Sequence, residues 1–250
     1  MATQYNNFQI VTDSLFFCTD AANIKSYSGS GTTWNDLSGF GNSDNATIDG
    51  ATFDSEGFFD FDGTNDNVKV PMTGDVNDTL FSGSNNFSLE FWFKADNLPA
   101  NGETNFMFSQ ALLGGGDRKI ILVFGNGYDD KEVGIRVNMG DWTGPVGSGA
   151  DSIDNNTWYN VIVTYDSSSG FVLYLNGDQK STSSLTGTIQ TPFQDSDNKL
   201  IGCVKDDTGN VNFRDRFFDG KISIVKIYNR ILTTSEVFQN YNALKGRFGL

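Results

Sequence analysis

Hydrophobic and polar residues alternate along much of the chain, and this pattern predicts β-strands. The clearest case is the segment FSLEFWFK at residues 87–94, in which every second residue is Phe or Leu. Strict alternation over eight residues is typical of a strand with one buried face. The pattern therefore predicts a half-buried strand, with Trp92 on the face opposite the phenylalanines.

Further apolar or alternating runs predict strands at residues 11–18, 58–61, 67–70, 120–124, 133–139, 159–165, 171–175, 200–204 and 220–228. Residues 166–170 have the length and composition of a hairpin loop between two of these strands. Asn176-Gly177 favours a type I′ turn, because both central residues of that turn need positive φ. Residues 23–50 are mostly polar and predict a long loop anchored by Trp34 and Leu37.

One segment near the end of the chain has a helical pattern. Thr233 and Glu236 have the spacing of a capping box, which marks a helix start. An apolar stripe with helical spacing follows, formed by Val237, Tyr241 and Leu244. Gly246 suits the helix end. The predicted helix covers residues 234–245 and lies over an otherwise all-β core.

These elements predict an all-β fold: a two-sheet antiparallel β-sandwich of the jelly-roll type with one short C-terminal helix. The hydrophobic fraction of 38%, with 22 Phe, is enough for a sizeable core, and 28 Gly supply turns. We find no linker, composition shift or repeat, so we predict one domain over residues 1–250 with its core at about 11–245. The strand at 220–228 should lie near the strand at 11–18.

A series of short motifs supports this fold through a family resemblance. The order FDG-x-I-x-x-V-x-I-Y-N-R, which starts at Phe218, resembles the end of a laminin-G-like, concanavalin A-like jelly-roll domain. Further matching segments occur upstream in the family's order: WNDLSG at 34–39, FDGTND at 61–66, FSLEFW at 87–92, WYNV at 158–161, LYLNG at 173–177 and LIG at 200–202. The resemblance implies a two-sheet sandwich and a binding role, and it does not name a ligand.

The charge excludes some partners. The chain has 31 acidic and 17 basic residues, a formal charge of −14 and a pI of about 4.2. Phosphate backbones and anionic lipids need clustered Lys and Arg, so we expect no nucleic-acid or membrane partner. No apolar run approaches the 18 residues of a membrane-spanning helix. Residues 1–5 show no secretory signal peptide.

The last eleven residues, 240–250, resemble the ends of laminin-G-like structural proteins of tailed phages, particularly marine ones. That resemblance, together with a lectin-like fold that lacks a signal peptide, predicts a virion protein released by lysis. Its partners would be other virion proteins or a cell-surface glycan, and the oligomeric state is left open. A carbohydrate-binding module acting in host attachment is the alternative.

Enzyme activity is not expected. The chain has no histidine, which excludes Ser-His-Asp and Cys-His catalysis and His-ligated zinc. Glycoside hydrolases need two carboxylates about 5–10 Å apart, and the five glutamates form no cluster that would provide such a pair. Two cysteines, Cys18 and Cys203, lie in apolar runs. Buried free thiols are therefore the favoured interpretation, although pairing is not excluded by the sequence.

Calcium is the one metal that the composition favours, because it takes oxygen ligands from carboxylates and backbone carbonyls. Asp62 and Asp66 in the first Phe-Asp-Gly segment, with Asp219 in the second, are the candidate ligands. Laminin-G-like proteins often hold calcium at a sandwich edge, so the resemblance supports this site. The alternative is that Asp-Gly simply forms turns whose Asp side chains accept backbone hydrogen bonds.

Ligand contact by a sandwich of this kind needs an exposed aromatic ring beside polar loop residues. Trp142 and Asp141, in the segment GDWTGP, are the first candidates, and Tyr128 is the second. The alternative is that Trp142 folds back over the core. Trp34 and Trp158 match family positions that are structural. The sequence thus predicts a non-catalytic, virion-associated binding module.

Overall fold

The predicted strands pair into two sheets that enclose a core rich in phenylalanine. A computed structural model describes residues 9–39, 45–70, 86–99, 104–113, 118–124, 131–137, 146–150, 152–187, 199–206 and 216–250. Every strand pairing within these ranges is antiparallel, apart from one short parallel pair and one isolated parallel bridge. The all-β sandwich predicted from the alternation is confirmed.

The first sheet, sheet A, carries the C-terminal helix on its outer face. In spatial order its strands are β14 (Asp178–Ser183), β13 (Gly170–Leu175), β12 (Trp158–Asp166), β7 (Phe87–Ala95), β17 (Asp219–Tyr228), β5 (Phe58–Asp62) and β4 (Thr52–Asp54), and β1 (Leu15–Asp20) also pairs with β17. The hairpin predicted between β12 and β13 is confirmed, with Asp166 opposite Gly170. Asn176 and Gly177 both have positive φ, at 52° and 81°, as a type I′ turn requires.

The second sheet, sheet B, covers the opposite side of the core. In spatial order its strands are β11 (Val146–Gly147), β10 (Val133–Val137), β9 (Arg118–Phe124), β8 (Asn105–Leu113), β15 (Lys199–Ile201), β6 (Asn67–Lys69), β3 (Ala46–Asp49) and β2 (Thr33–Trp34), and β16 (Lys205–Asp206) pairs with β8. Strands β2 and β3 correct the prediction of a continuous loop at 23–50. Trp34 and Ala46 are fully buried cross-strand partners, so this segment supplies two core positions.

Strand β17 lies near the middle of sheet A and pairs with β1, β5 and β7. The predicted proximity of segments 220–228 and 11–18 is therefore confirmed. The first strand begins at Leu15 rather than at residue 11. Val11 instead contacts the helix region: its N–H donates to Asn240 Oδ1, and its carbonyl accepts from the Tyr228 hydroxyl.

Strand β7 is buried on both faces, which corrects the prediction of a half-buried strand. Its phenylalanines point into the core as expected. On its other face Glu90 and Trp92 are also inaccessible to solvent because the C-terminal segment covers them, and Lys94 is partly exposed. The Trp92 ring stacks on Phe248, with the ring centroids 4.3 Å apart.

The C-terminal helix α1 (Thr234–Leu244) begins at the predicted capping box, with both reciprocal hydrogen bonds between Thr233 and Glu236 present. The pattern suggested that Gly246 would end the helix, but Gly246 does not adopt the left-handed conformation of a helix end. The chain continues into a 3₁₀ turn, Lys245–Phe248, and Gly249 adopts the left-handed conformation instead, with φ of 73°. Within the described ranges, no helix has the length and apolar character needed to span a membrane.

Both cysteines are buried, and neither forms a disulfide bond, as predicted. Cys18 lies beneath the helix in an apolar cluster with Tyr228 and Val237, and Cys203 packs elsewhere, with Leu200 and Phe217. Burial raises the pKa of the Cys18 thiol to about 12. A thiol with that pKa is almost entirely protonated at neutral pH and is therefore unreactive.

Candidate functional site

The three aspartates predicted as calcium ligands lie together at one end of sheet A. Asp219 on β17 stands directly opposite Asp62 on β5. Asp66 reaches back from the following loop, where its Oδ2 accepts the Asp62 N–H at 2.9 Å. They line a cleft of about 370 Å³, here called the acidic cleft, whose other lining residues are Gly50, Thr52, Asp60, Phe61 and Asp96.

Each of the three aspartates uses one carboxylate oxygen to hold the local structure. Asp62 Oδ1 accepts the Thr64 N–H at 2.8 Å, which is the turn-forming role that the sequence left as the alternative. Asp219 Oδ2 accepts from Asn97 Nδ2 at 2.7 Å. Among the described residues, the other oxygen of each carboxylate accepts no hydrogen bond. The cleft therefore offers acceptors to a ligand without losing its own support.

A glycine makes the close approach at the back of the cleft possible. Gly50 has φ of 91°, and a Cβ atom at this position would lie 2.1 Å from Asp66 Oδ1. Any side chain there would push the Asp66 carboxylate out of place and would also strain the backbone. Gly50 is thus a part of the site that its position in the sequence did not indicate.

Burial changes the ionisation of the cleft. Burial raises the pKa of Asp66, and the hydrogen bond from the Asp62 N–H only partly offsets this. Burial also raises the pKa of Asp60, against the opposing effect of the nearby Lys221 ammonium. Lys221 is held between Asp60, at 3.6 Å, and Asp96. Burial disfavours the charge of Lys221, but these two carboxylates outweigh burial and raise its pKa.

The cleft has the oxygen chemistry that calcium prefers, but its carboxylates do not form a ready ligand set. In the part of the chain that the structure describes, no group of three or more Asp, Glu, Cys or His side chains is arranged to hold a metal ion. Calcium needs six to eight oxygen ligands, so backbone carbonyls, water and rotated side chains would have to complete the set. Calcium at Asp62, Asp66 and Asp219 stays a prediction.

An aromatic and cationic surface adjoins the acidic cleft, and we call it the aromatic ledge. It consists of the partly exposed residues Lys94, Trp158 and Phe248, which lie against the buried ring of Phe58. The rings of Phe58 and Trp158 are 5.9 Å apart, and Phe248 lies 4.8 Å from Trp158. The Lys94 ammonium lies 5.5 Å from the Trp158 ring centroid and 6.0 Å from that of Phe58. Lys221 joins the ledge to the cleft, since its ammonium also lies 5.8 Å from the Phe58 ring.

The ledge contains residues that the sequence reasoning did not single out. Trp34 is fully buried, as a structural residue should be, whereas Trp158 is half-buried on the outer surface. Lys94 and Trp158 are direct cross-strand partners. The alternation in the strands predicted at 87–94 and 159–165 was the sequence signal that could have identified them. It places Lys94, and Trp158 just before the second strand, at positions that face away from the core. The predicted ligand-binding residues Trp142, Asp141 and Tyr128 lie outside the described residues.

Comparisons with known proteins agree with the fold. Residues 62–238 match the Laminin_G_3 family, described as the concanavalin A-like lectin/glucanases superfamily. No curated protein matches the chain. Among solved structures, the Trypanosoma rangeli sialidase in complex with 2,3-difluorosialic acid superposes with a TM-score of 0.66 and 16% identity. That match covers 95% of this chain and 34% of the sialidase.

Two toxin domains are also similar. The binding domain of Paraclostridial Mosquitocidal Protein 1 has a TM-score of 0.68 and 17% identity, and the match covers 93% of this chain and 52% of that one. The receptor binding domain of botulinum neurotoxin mosaic serotype C/D has a TM-score of 0.63 and 14% identity, with 93% and 51% covered. The chain thus spans about a third of the sialidase and about half of each toxin chain. At these identities the likeness shows the fold.

Proposed function

Because the chain belongs to the concanavalin A-like lectin/glucanases superfamily, we propose that it is a non-catalytic carbohydrate-binding module. The ligand lies across the acidic cleft and the aromatic ledge. The observation that carries this proposal is the direct junction of the two surfaces at Lys221, which contacts both Asp60 and the Phe58 ring. The similarity to a sialidase and to toxin binding domains supports a binding role.

The two surfaces offer the two kinds of contact that a sugar uses. Sugar hydroxyl groups donate hydrogen bonds, and the unused oxygens of Asp62 and Asp219 accept them. Hydrogen bonds to a charged acceptor are stronger than those between neutral groups. The apolar face of a sugar ring packs on an aromatic side chain, and Trp158 presents such a ring at the surface. In a typical small-ligand site, a few polar groups fix the orientation of the ligand, and aromatic side chains supply much of the affinity for it.

The same carboxylates are poorly placed for hydrolysis. A glycosidase needs one carboxyl group to give up a proton and another to act as base or nucleophile. The raised pKa of Asp66 suits a general acid, but Asp66 Oδ2 holds the Asp62 N–H and the residue is 6% exposed. Asp60 and Asp96 are ion-paired with Lys221. The cleft carboxylates thus hold the local structure, which is why we propose binding without turnover.

An array of oligosaccharides tests the proposal. We expect the wild-type chain to bind a subset of the array, and Asp219→Asn and Trp158→Ala each to weaken that binding. The matched control is Asp178→Asn, a carboxylate that is 80% exposed on the far edge strand. Prolonged incubation with a bound oligosaccharide should release no new reducing ends. Absence of binding across the array would contradict the proposed function, and released product would contradict its non-catalytic part.

A place on a virion is a separate proposal, and it rests on the resemblance of residues 240–250 to phage structural proteins. In the structure these residues also have a local role: Arg247 donates to Asp20 Oδ1, the Gly57 carbonyl and Ser223 Oγ. Mass spectrometry of purified particles tests this proposal, and light scattering of the purified chain gives its oligomeric state. A chain absent from every particle fraction would contradict the virion role and leave glycan binding intact.

A further inference from the structure

Five side chains on the outer face of sheet A form one unbroken row across five neighbouring strands. Trp158 on β12 is the cross-strand partner of Lys94 on β7, and Lys94 is the partner of Lys221 on β17. Lys221 pairs in turn with Asp60 on β5, and Asp60 pairs with Thr52 on β4. We call this set the cross-strand row. It runs perpendicular to the strands.

The row is long and partly open to solvent, although the side chain of Lys221 in its middle is only 16% exposed. Neighbouring strands lie about 4.8 Å apart, so four intervals give a length of about 19 Å. Thr52 at one end is exposed, and Trp158 at the other end is half-buried. The side chain of Asp60 is 49% exposed. The next residues along the strands, such as Phe93 and Phe59, belong to the core, so the row faces away from it.

The row is also balanced in charge. Its two ammonium groups, on Lys94 and Lys221, are matched by the carboxylates of Asp60 and of Asp96, and Asp96 binds Lys221 from the side. The next outward positions along the strands carry Asp62 and Asp219, which are acidic. A polyanion would be repelled from this side of the row, whereas an uncharged chain meets no such penalty.

We infer that the ligand is an extended chain of neutral sugars that lies along the cross-strand row, rather than a single terminal sugar. This inference rests on the proposed carbohydrate-binding function. A terminal sugar would contact only one part of the row. A chain places one ring against Trp158 and hydroxyl groups against Asp60, about 14 Å away, and Thr52, about 19 Å away. An acidic sugar such as the sialic acid bound by the similar sialidase is disfavoured here by Asp62 and Asp219.

Oligosaccharides of graded length test the inference. A size-graded array of neutral, amino and uronic oligosaccharides first identifies a bound series, and calorimetry then measures affinity from disaccharide to octasaccharide. We expect affinity to rise until the sugar spans the row and then to level off. Trp158→Ala should weaken the binding of the longest sugar roughly 10- to 30-fold, because loss of an aromatic anchor is commonly that large.

Variants at the two ends of the cross-strand row distinguish a sugar chain that spans the row from a single terminal sugar. If one chain spans the row, Trp158→Ala and Thr52→Val each weaken long oligosaccharides. Thr52→Val should leave the melting temperature nearly unchanged, whereas Trp158→Ala should lower it, because the ring packs on Phe58 and Phe248. Binding is therefore measured well below the melting temperature of each variant. Phe238→Ala is the control, since Phe238 is 54% exposed on the helix, outside the row. Affinity that is independent of length, an effect at one end only, or a preference for uronic sugars would overturn the inference while leaving carbohydrate binding in place. No binding of any series would instead overturn the proposed function on which the inference rests.

Discussion

Lys226 donates a hydrogen bond to Glu90 Oε1 at 2.8 Å, and both side chains are almost completely excluded from solvent. The same carboxylate accepts from Trp92, Asn160 and Asn240. Buried charges are tolerated only when they are paired and hydrogen-bonded. This network therefore fixes how the C-terminal helix, which carries Asn240, sits on sheet A.

Removal of the Lys226 charge should destabilise the chain strongly. Lys226→Met leaves Glu90 as a buried, uncompensated carboxylate, and the expected loss in the free energy of unfolding is about 3–5 kcal/mol. The double variant Glu90→Gln/Lys226→Met should be more stable than Lys226→Met alone, because Gln carries no charge. Urea unfolding at pH 7 measures both. A double variant less stable than the single one would show that the ion pair is not the dominant interaction.

Glu236 should make stability depend on pH. Hydrogen bonds from Arg230 and from the helix N-cap, which outweigh the effect of burial, lower the pKa of Glu236 from 4.5 to about 2. A carboxylate with a lowered folded-state pKa stabilises the fold above its unfolded pKa, and that contribution is lost as the pH falls through the folded value. Glu236→Gln should therefore cost about 1–2 kcal/mol at pH 7, from the cap and a partly exposed ion pair.

The difference between Glu236→Gln and wild type should shrink as the pH is lowered from 4.5 towards 2. Glu56→Gln is the matched control, because Glu56 is an exposed loop residue. Thermal unfolding across this pH range is the measurement. A stability difference that stays constant with pH would mean that the Glu236 charge does not stabilise the helix start.

Calcium should raise the melting temperature if the acidic cleft binds it. A ligand specific to the folded state stabilises by RT ln(1 + [L]/Kd), which is about 2.7 kcal/mol at a concentration of 100 Kd. Asp219→Asn should reduce the shift, and Asp178→Asn should not. Identical melting curves in millimolar calcium and in chelator would contradict calcium binding at Asp62, Asp66 and Asp219.

Trp142 stays a candidate for ligand contact. If its ring is exposed, Trp142→Ala should leave the melting temperature nearly unchanged and weaken glycan retention, since loss of an aromatic contact commonly costs about 2 kcal/mol or more. Trp34→Ala is the control for a core tryptophan and should lower the melting temperature sharply. Unfolding of the Trp142→Ala variant would instead place Trp142 in the core.

Local patterns in the sequence were sufficient to predict the fold class. The capping box of Thr233 and Glu236 is a contact between residues three positions apart, and the alternation around Phe91 depends only on the period of a strand. Both features could therefore be predicted. The burial of Trp92 could not, because it depends on a helix that begins more than a hundred residues later in the chain.

The candidate site was predictable only in part. The two Phe-Asp-Gly segments marked Asp62 and Asp219 as a pair, and the structure places them opposite each other. Lys94 was not marked, since outward strand positions carry no pattern beyond being polar or large, and Trp158 was assigned a structural role from its family motif. Their contact depends on the register between two strands, and one sequence does not contain that register.

The position of β17 in sheet A also bears on how the chain folds during synthesis. Strand β17 fills the gap between β7 and β5, yet it is made long after both of them. Until Asp219–Tyr228 has left the ribosome, β5 and β7 keep unpaired edges that can join another chain. Pairings between such distant segments form slowly, because loop closure costs entropy before any contact is gained. Completion of sheet A is therefore a late event, and a nascent chain that ends before Asp219 is the species most exposed to aggregation.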